Sequence, residues 1–264
     1  MKNTSNVVRV CRVFDFDESP SEIYAKLCKS LSLLPAPWGL ADVDIITFED
    51  RSDWPVNEVS YRLHEEVSRL EIGLLSRRYR RHSEVAPCLE DYMTVEFNSA
   101  KNGADLKYVF DQVIPLYIRS FGAFFAAVED MDVLAEEEDE FWKSSDEERM
   151  HARAQAGPRR QECLHIRQVN YWAREQCNNY FGLAPEQVVG IRGDHVARAD
   201  VLEEGAYIVV SYGPLTSEQA QASFGAEIAR LRRVVATSEL RLRELQRGQR
   251  LATAVDTTQK LRAT

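Results

Sequence analysis

Two short stretches place reactive groups side by side. Cys163-Leu164-His165 sets a thiol and an imidazole two residues apart, on one face if the segment is a strand. A cysteine and a histidine so placed are the raw material of a thiolate nucleophile. Asp194-His195 sets a carboxylate next to an imidazole. Neither stretch has the third, orienting group of a catalytic set. The reading adopted for Cys163 is a small buried hydrophobe beside a surface histidine. His64, His82 and His151 sit among charged residues without ligand spacing. There is no G-x-S-x-G, P-loop, G-x-G-x-x-G or H-E-x-x-H. No catalytic, cofactor-binding or metal-binding residue is therefore assigned, and no cofactor is expected.

The charge is distributed unevenly. Glu129 to Glu148 holds eleven carboxylates and one lysine, a net charge of −10 in a chain whose total is −9. Everything else together is close to neutral. The calcium-loop pattern needs a glycine that this block lacks. The block also carries Phe141 and Trp142, and aromatics of this kind anchor binding hot spots. Clustered carboxylates steer a basic partner toward such anchors. The candidate partner-binding residues are Glu136, Glu137, Glu138, Asp139, Glu140, Phe141, Trp142, Asp146, Glu147 and Glu148; the alternative for the block is a solvated surface, which is what charge runs usually are. The cluster Arg77-Arg78-Tyr79-Arg80-Arg81-His82 is read as a solvated turn or as a partner for the acidic block. The acidic total argues against nucleic-acid binding.

The remaining totals fit a folded protein: 264 residues, 44% hydrophobic and 28% charged. The five cysteines are odd in number, widely spaced and without C-x-x-C, which suits a reducing compartment. The first ten residues lack the apolar run of a secretory leader. The longest uncharged apolar stretch, 120–128, is too short to span a bilayer. The expectation is a cytoplasmic protein with no membrane contact.

These groups must be carried by a scaffold. Val7 to Phe16 predicts a strand. Ser19-Pro20-Ser21-Glu22 predicts a capping box, and Ile23, Leu27 and Leu31 a helix over 20–34. Val43 to Phe48 reads as a second strand. Val59, Leu63, Val67 and Leu70 favour a helix from Asn57, with 70–75 open to a strand. Tyr92 to Asn98 alternates as a half-buried strand. Asp105 to Asp130 reads as one long helix with a kink or break near Ile114, because Pro115 would cost roughly 3 kcal/mol inside it.

In the second half, 162–169 reads as a strand and Tyr171 to Phe181 as a helix closed by Gly182. Glu186 to Gly190 reads as a helical turn. Asp194–Leu202 and Ala206–Tyr212 read as strands joined by Glu203-Glu204-Gly205. Thr216 caps a last helix, whose Ile228, Leu231, Val235, Leu242 and Leu245 form a heptad-like stripe with Ser238 in the gap.

The layout resembles bacterial immunity proteins of polymorphic-toxin loci and is similar to the group called immunity protein 52. The resemblance rests on Tyr92–Asn98 leading to the helix from Asp105, and on Asn170-Tyr171-Trp172 with Cys177, Gly182 and Pro185 leading to Ala206–Tyr212. It covers about half of the chain. It implies a protein that binds one toxin and blocks it without chemistry.

The expectation is thus an α+β fold with mostly antiparallel sheets, helices packed on one face and a long C-terminal helix. The division is an N-terminal half 1–135, an acidic segment and linker 136–160, and a C-terminal half 161–264. The function expected is a non-enzymatic immunity protein that occludes a basic toxin or effector. The alternative is a scaffold protein that forms a homodimer or larger assembly through the C-terminal stripe.

Overall fold

The computed structural model describes residues 5–13, 17–50, 56–63, 67–76, 90–98, 105–135, 166–191, 196–213, 215 and 217–231. Among the described residues, eight strands form one antiparallel sheet in the order β2-β3-β4-β1-β5-β6-β8-β7. They are β1 (Ser5–Arg12), β2 (Val56–Tyr61), β3 (Val67–Leu75), β4 (Asp91–Asn98), β5 (Ala123–Asp130), β6 (Val169–Trp172), β7 (Arg198–Leu202) and β8 (Gly205–Val209). The pairing of β5 with β6 carries the sheet from the first half of the chain into the second. The fold is α+β.

Side chains alternate across a strand, so one sheet builds two cores. Val8, Val10, Ile72, Met93, Val95, Ala126, Tyr171 and Tyr207 face one side. That side is covered by α1 (Pro20–Leu31) and α2 (106–121). Trp172, Ala206 and Ile208 face the other side, with Phe125 packed against them. There they meet α3 (174–181), α4 (Pro185–Gly190) and α5 (217–231). The expectation of helices on one face is corrected: the two halves cover opposite faces. β6 and β8 are buried at every position because they lie between both layers.

Several elements match the sequence reading. Among them are β1, α1, β4, α4 and the β7–β8 hairpin. Gly182 adopts the left-handed conformation (φ 65°) that closes α3. Others differ for identifiable reasons. Residues 57–61 and 67–70 are strand rather than helix: Asn57, Val59 and Tyr61 are buried while Glu58 and Ser60 are exposed, so the period is two. Residues 123–130 are a strand rather than the end of a long helix. Gly122 (φ 62°) stops α2, and β5 is apolar on both faces because it is a central strand. Residues 169–172 pair with β5 and β8, so the helix expected from Tyr171 starts at Arg174. Ser19 makes no side-chain cap; Pro20 alone marks the start of α1. Val43–Phe48 enters no ladder.

The break expected at Pro115 takes a different form. The chain stays helical through it, with a π-type turn at Val109–Val113 directly before Ile114–Phe121. Proline has no N–H to give the carbonyls of Phe110 or Asp111. The sheet supplies the donors instead. The Tyr207 hydroxyl donates to the Phe110 carbonyl, and Arg198 Nη1 donates to the Asp111 carbonyl at 3.3 Å.

Candidate functional site

The ten residues from Glu136 to Glu148 that the sequence singles out lie outside the described residues, as do the basic cluster 77–82, Cys163, His165, Asp194 and His195. What is described is where the acidic block leaves the sheet. Glu129, near the end of β5, faces Arg167 at 3.6 Å, and both side chains are nearly buried. The next residue, Asp130, accepts the backbone N–H of Asp132 at 2.8 Å through its carboxylate. This starts a helical turn at 131–135, where Met131 and Asp132 are exposed. An aspartate in that position satisfies an otherwise orphan N–H of the first turn. The acidic block thus begins at the end of a central strand.

Ile228 is buried in the second core and Leu231 packs against it. The first two residues of the C-terminal stripe therefore serve this chain's own fold. Val235, Ser238, Leu242 and Leu245 lie outside the described residues.

A polar cluster that the sequence reading missed sits where α2 meets β7 and β8. Asp111 accepts hydrogen bonds from Arg198 Nη1 at 2.9 Å and from the Tyr212 hydroxyl at 2.6 Å, and it pairs with Lys107. Lys107 Nζ also lies 5.0 Å from the centre of the Tyr212 ring, and the Arg198 guanidinium 5.3 Å from that of Tyr207. Burial pushes the Asp111 carboxyl up, but the bonds from Lys107, Tyr212 and Arg198 outweigh it and hold the group below its ordinary range. Burial and the Asp111 carboxylate push the Tyr212 phenol up to about 12. The two cations and the carboxylates of Asp111 and Asp200 balance, which suits a clamp on the Pro115 turn. Proline at 115 was the available signal, because the acceptors it orphans must find donors elsewhere.

A second missed site lies at the β2 end of the sheet. The segment 46–50 runs beside β2. Its Ile46 N–H donates to the Tyr61 hydroxyl at 3.1 Å, and its Ile46 carbonyl accepts from the Tyr24 hydroxyl at 2.9 Å. The two hydroxyls also contact each other. Between residues 46–49 and β2 is an open slot of about 540 Å³. On the other side of the same segment, a groove of about 440 Å³ is lined by Tyr24, Cys28 and Lys29 from α1. Burial pushes the Cys28 thiol up, so it is not a poised nucleophile. The Cys177 thiol is likewise pushed up, to about 11, by burial. Among the described residues no group of three or more His, Cys, Asp or Glu is placed to hold a metal ion. No helix among them is long and apolar enough to cross a membrane.

No protein-family model matches the chain, and no curated protein matches it.

Proposed function

We propose that this protein is a non-enzymatic binder that neutralises a basic toxin or effector inside the producing cell, as immunity proteins do. The observation that carries this reading is the confinement of a net charge of −10 to twenty residues of a chain that is otherwise near neutral. The mechanism is occlusion. Glu136, Glu137, Glu138, Asp139 and Glu140, with Asp146, Glu147 and Glu148, pair with a basic cleft, and Phe141 and Trp142 anchor the contact. If the toxin is a nuclease, the carboxylates stand in for the phosphates it binds. The start of the block supports this reading. A buried ion pair at Glu129 and a turn capped by Asp130 fix the chain that precedes the docking segment at the end of β5.

The test is affinity purification of the full chain from its native cells beside a version with residues 136–148 replaced by a neutral linker. The expected result is one basic protein held by the first and lost by the second. Glu136, Glu137, Glu138 and Asp139 reversed to lysine should abolish both capture and protection. Capture and protection that survive the reversal would sink the reading.

A further inference from the structure

One face of α1 is exposed, and it borders a groove. Both walls of that groove lie in the run 17–50, which is described without a break. Ser21, Ala25, Cys28 and Ser32, spaced at three and four residues, line the α1 side. Residues 45–48 line the other, and the space between is about 440 Å³. Tyr24 sets the width. Its hydroxyl donates to the Ile46 carbonyl at 2.9 Å, and its ring centre lies 5.2 Å from that of Phe48. Beyond the end of α1, the Leu40 N–H donates to the Leu31 carbonyl at 3.0 Å and fixes the chain that leads back to the second wall. The α1 wall is made of small side chains, so this chain does not fill its own groove. Ile45 and Ile46 on the rim are 47% and 45% exposed, and Leu33, next to Ser32, is 77% exposed. Apolar side chains gathered at one groove mark a protein contact.

The charges on the same face identify the occupant. Glu22, Ala25 and Lys29 are exposed and form one seam, spaced at three and four residues. Glu22 stands in the first turn of α1 and Lys29 in the last, about 10 Å apart along the axis. Neither makes an ion pair with a described residue. A partner of one charge sign suits only one end of this seam. A second α1 laid antiparallel suits both: Glu22 of each copy meets Lys29 of the other, and Ala25 beside the axis lets the two backbones come close. A two-fold contact of this kind makes every interaction twice. It also sets each helix N-terminus beside the other copy's C-terminus, the favourable sense for their dipoles. Lys26 is exposed on the flank of the seam, where its long stem carries the ammonium into water. We infer that α1 is the interface of a two-fold homodimer, with Glu22 and Lys29 paired across the axis and Leu33 of each copy covering the Ser21 end of the other's groove. This contact is separate from the C-terminal stripe and does not rest on the proposed function.

The test is sedimentation equilibrium of the full chain from about 5 to about 500 µM at low salt, a range suited to the small interface that one twelve-residue helix per copy provides. The expected result is a reversible monomer–dimer equilibrium that added salt weakens. Glu22→Lys and Lys29→Glu each turn both attractive pairs into repulsive ones, and each should weaken the dimer by about tenfold or more. The swap Glu22→Lys/Lys29→Glu puts the pairs back with their signs exchanged, and should return the dissociation constant to within about threefold of wild type. Leu33→Asp should weaken the dimer without touching the charge pairs. All four positions substituted are at the surface, so circular dichroism should show each variant folded as the wild type is. A chain that stays monomeric at the highest concentration overturns the inference. So does a swap that associates no better than the single reversals. A dimer that survives both reversals and is lost in Leu242→Lys belongs to the C-terminal stripe and overturns it too.

Discussion

The hydroxyl of Tyr207, on β8, donates to the carbonyl of Phe110, in the middle of α2. Both residues are fully buried. The bond exists because Pro115 removes the N–H that would otherwise reach back to this turn. Tyr207→Phe should therefore cost about 1–3 kcal/mol, the penalty for a buried acceptor left alone. Pro115→Ala restores an N–H within reach of the same turn. The loss from Tyr207→Phe should be smaller in the Pro115→Ala background, and a double-mutant cycle by urea unfolding reads the difference. Equal losses in both backgrounds would mean the hydroxyl does not substitute for the missing amide.

The neighbouring contact gives a pH signature. Asp111 is held below its ordinary range by Lys107, Tyr212 and Arg198. A carboxyl depressed on folding contributes stability above its unfolded value of about 3.9, and that contribution is lost as pH falls through the lower folded value. Asp111→Asn should be less stable than wild type at neutral pH. The gap should close as pH falls below about 4. Thermal unfolding of both proteins between pH 7 and pH 2.5 measures it, and a gap constant across that range would remove Asp111 from the acid limb.

How far these relationships are legible in the sequence depends on their range. α1, β4 and the β7–β8 hairpin were readable because each has one wet and one dry face, or a proline or glycine at its end. β5 was not: Phe124, Phe125, Ala126, Ala127 and Val128 give no alternation when both faces are buried, and Phe121, Phe124, Phe125 and Val128 fit a helix equally well. β2 is hidden because Val59 and Leu63 fit a spacing of four as readily as Val59 and Tyr61 fit a spacing of two. The polar cluster has no local signal, since Asp111 is 87 residues from Arg198 and 101 from Tyr212. The acidic block stands out in composition, yet composition says nothing of the groove at the β2 edge, which depends on two tyrosine hydroxyls meeting one backbone residue.

That edge also explains a glycine. A Cβ on Gly73 of β3 would sit 2.4 Å from the ring of Tyr92, which crosses the strand to reach Glu71 at 3.2 Å and Glu58 on β2. A glycine in a strand here marks close approach of an aromatic ring, which covers the backbone the glycine leaves bare. Gly73→Ala should cost about 1–3 kcal/mol by overpacking. In a Tyr92→Ala background the same change should be nearly neutral, because the obstructing ring is gone. Chemical denaturation of the four proteins decides the matter; an equal cost with and without the ring would assign the glycine to backbone conformation instead.

Glu129 and Arg167 join the sheet to the start of the acidic block through a pair that is 9% and 6% exposed. A buried pair adds little net stability while both members remain, because removing two charges from water offsets most of their attraction. Breaking it is different, since the remaining charge stays buried with less compensation. Glu129→Gln should therefore destabilise by about 3–5 kcal/mol, although it removes a single negative charge from an overwhelmingly acidic region where general repulsion would favour its loss. The two effects have opposite signs and different salt responses. Repulsion among exposed carboxylates is screened by 0.5 M salt, whereas the buried pair is not. If the pair dominates, Glu129→Gln unfolds at lower urea than wild type at both low and high salt, by a similar margin. If repulsion dominates, the variant is the more stable protein at low salt and the advantage disappears as salt is raised. The first outcome makes Glu129 a structural root of the block, distinct in role from Glu136 to Glu140, where substitution should alter partner capture and leave the unfolding midpoint almost unchanged.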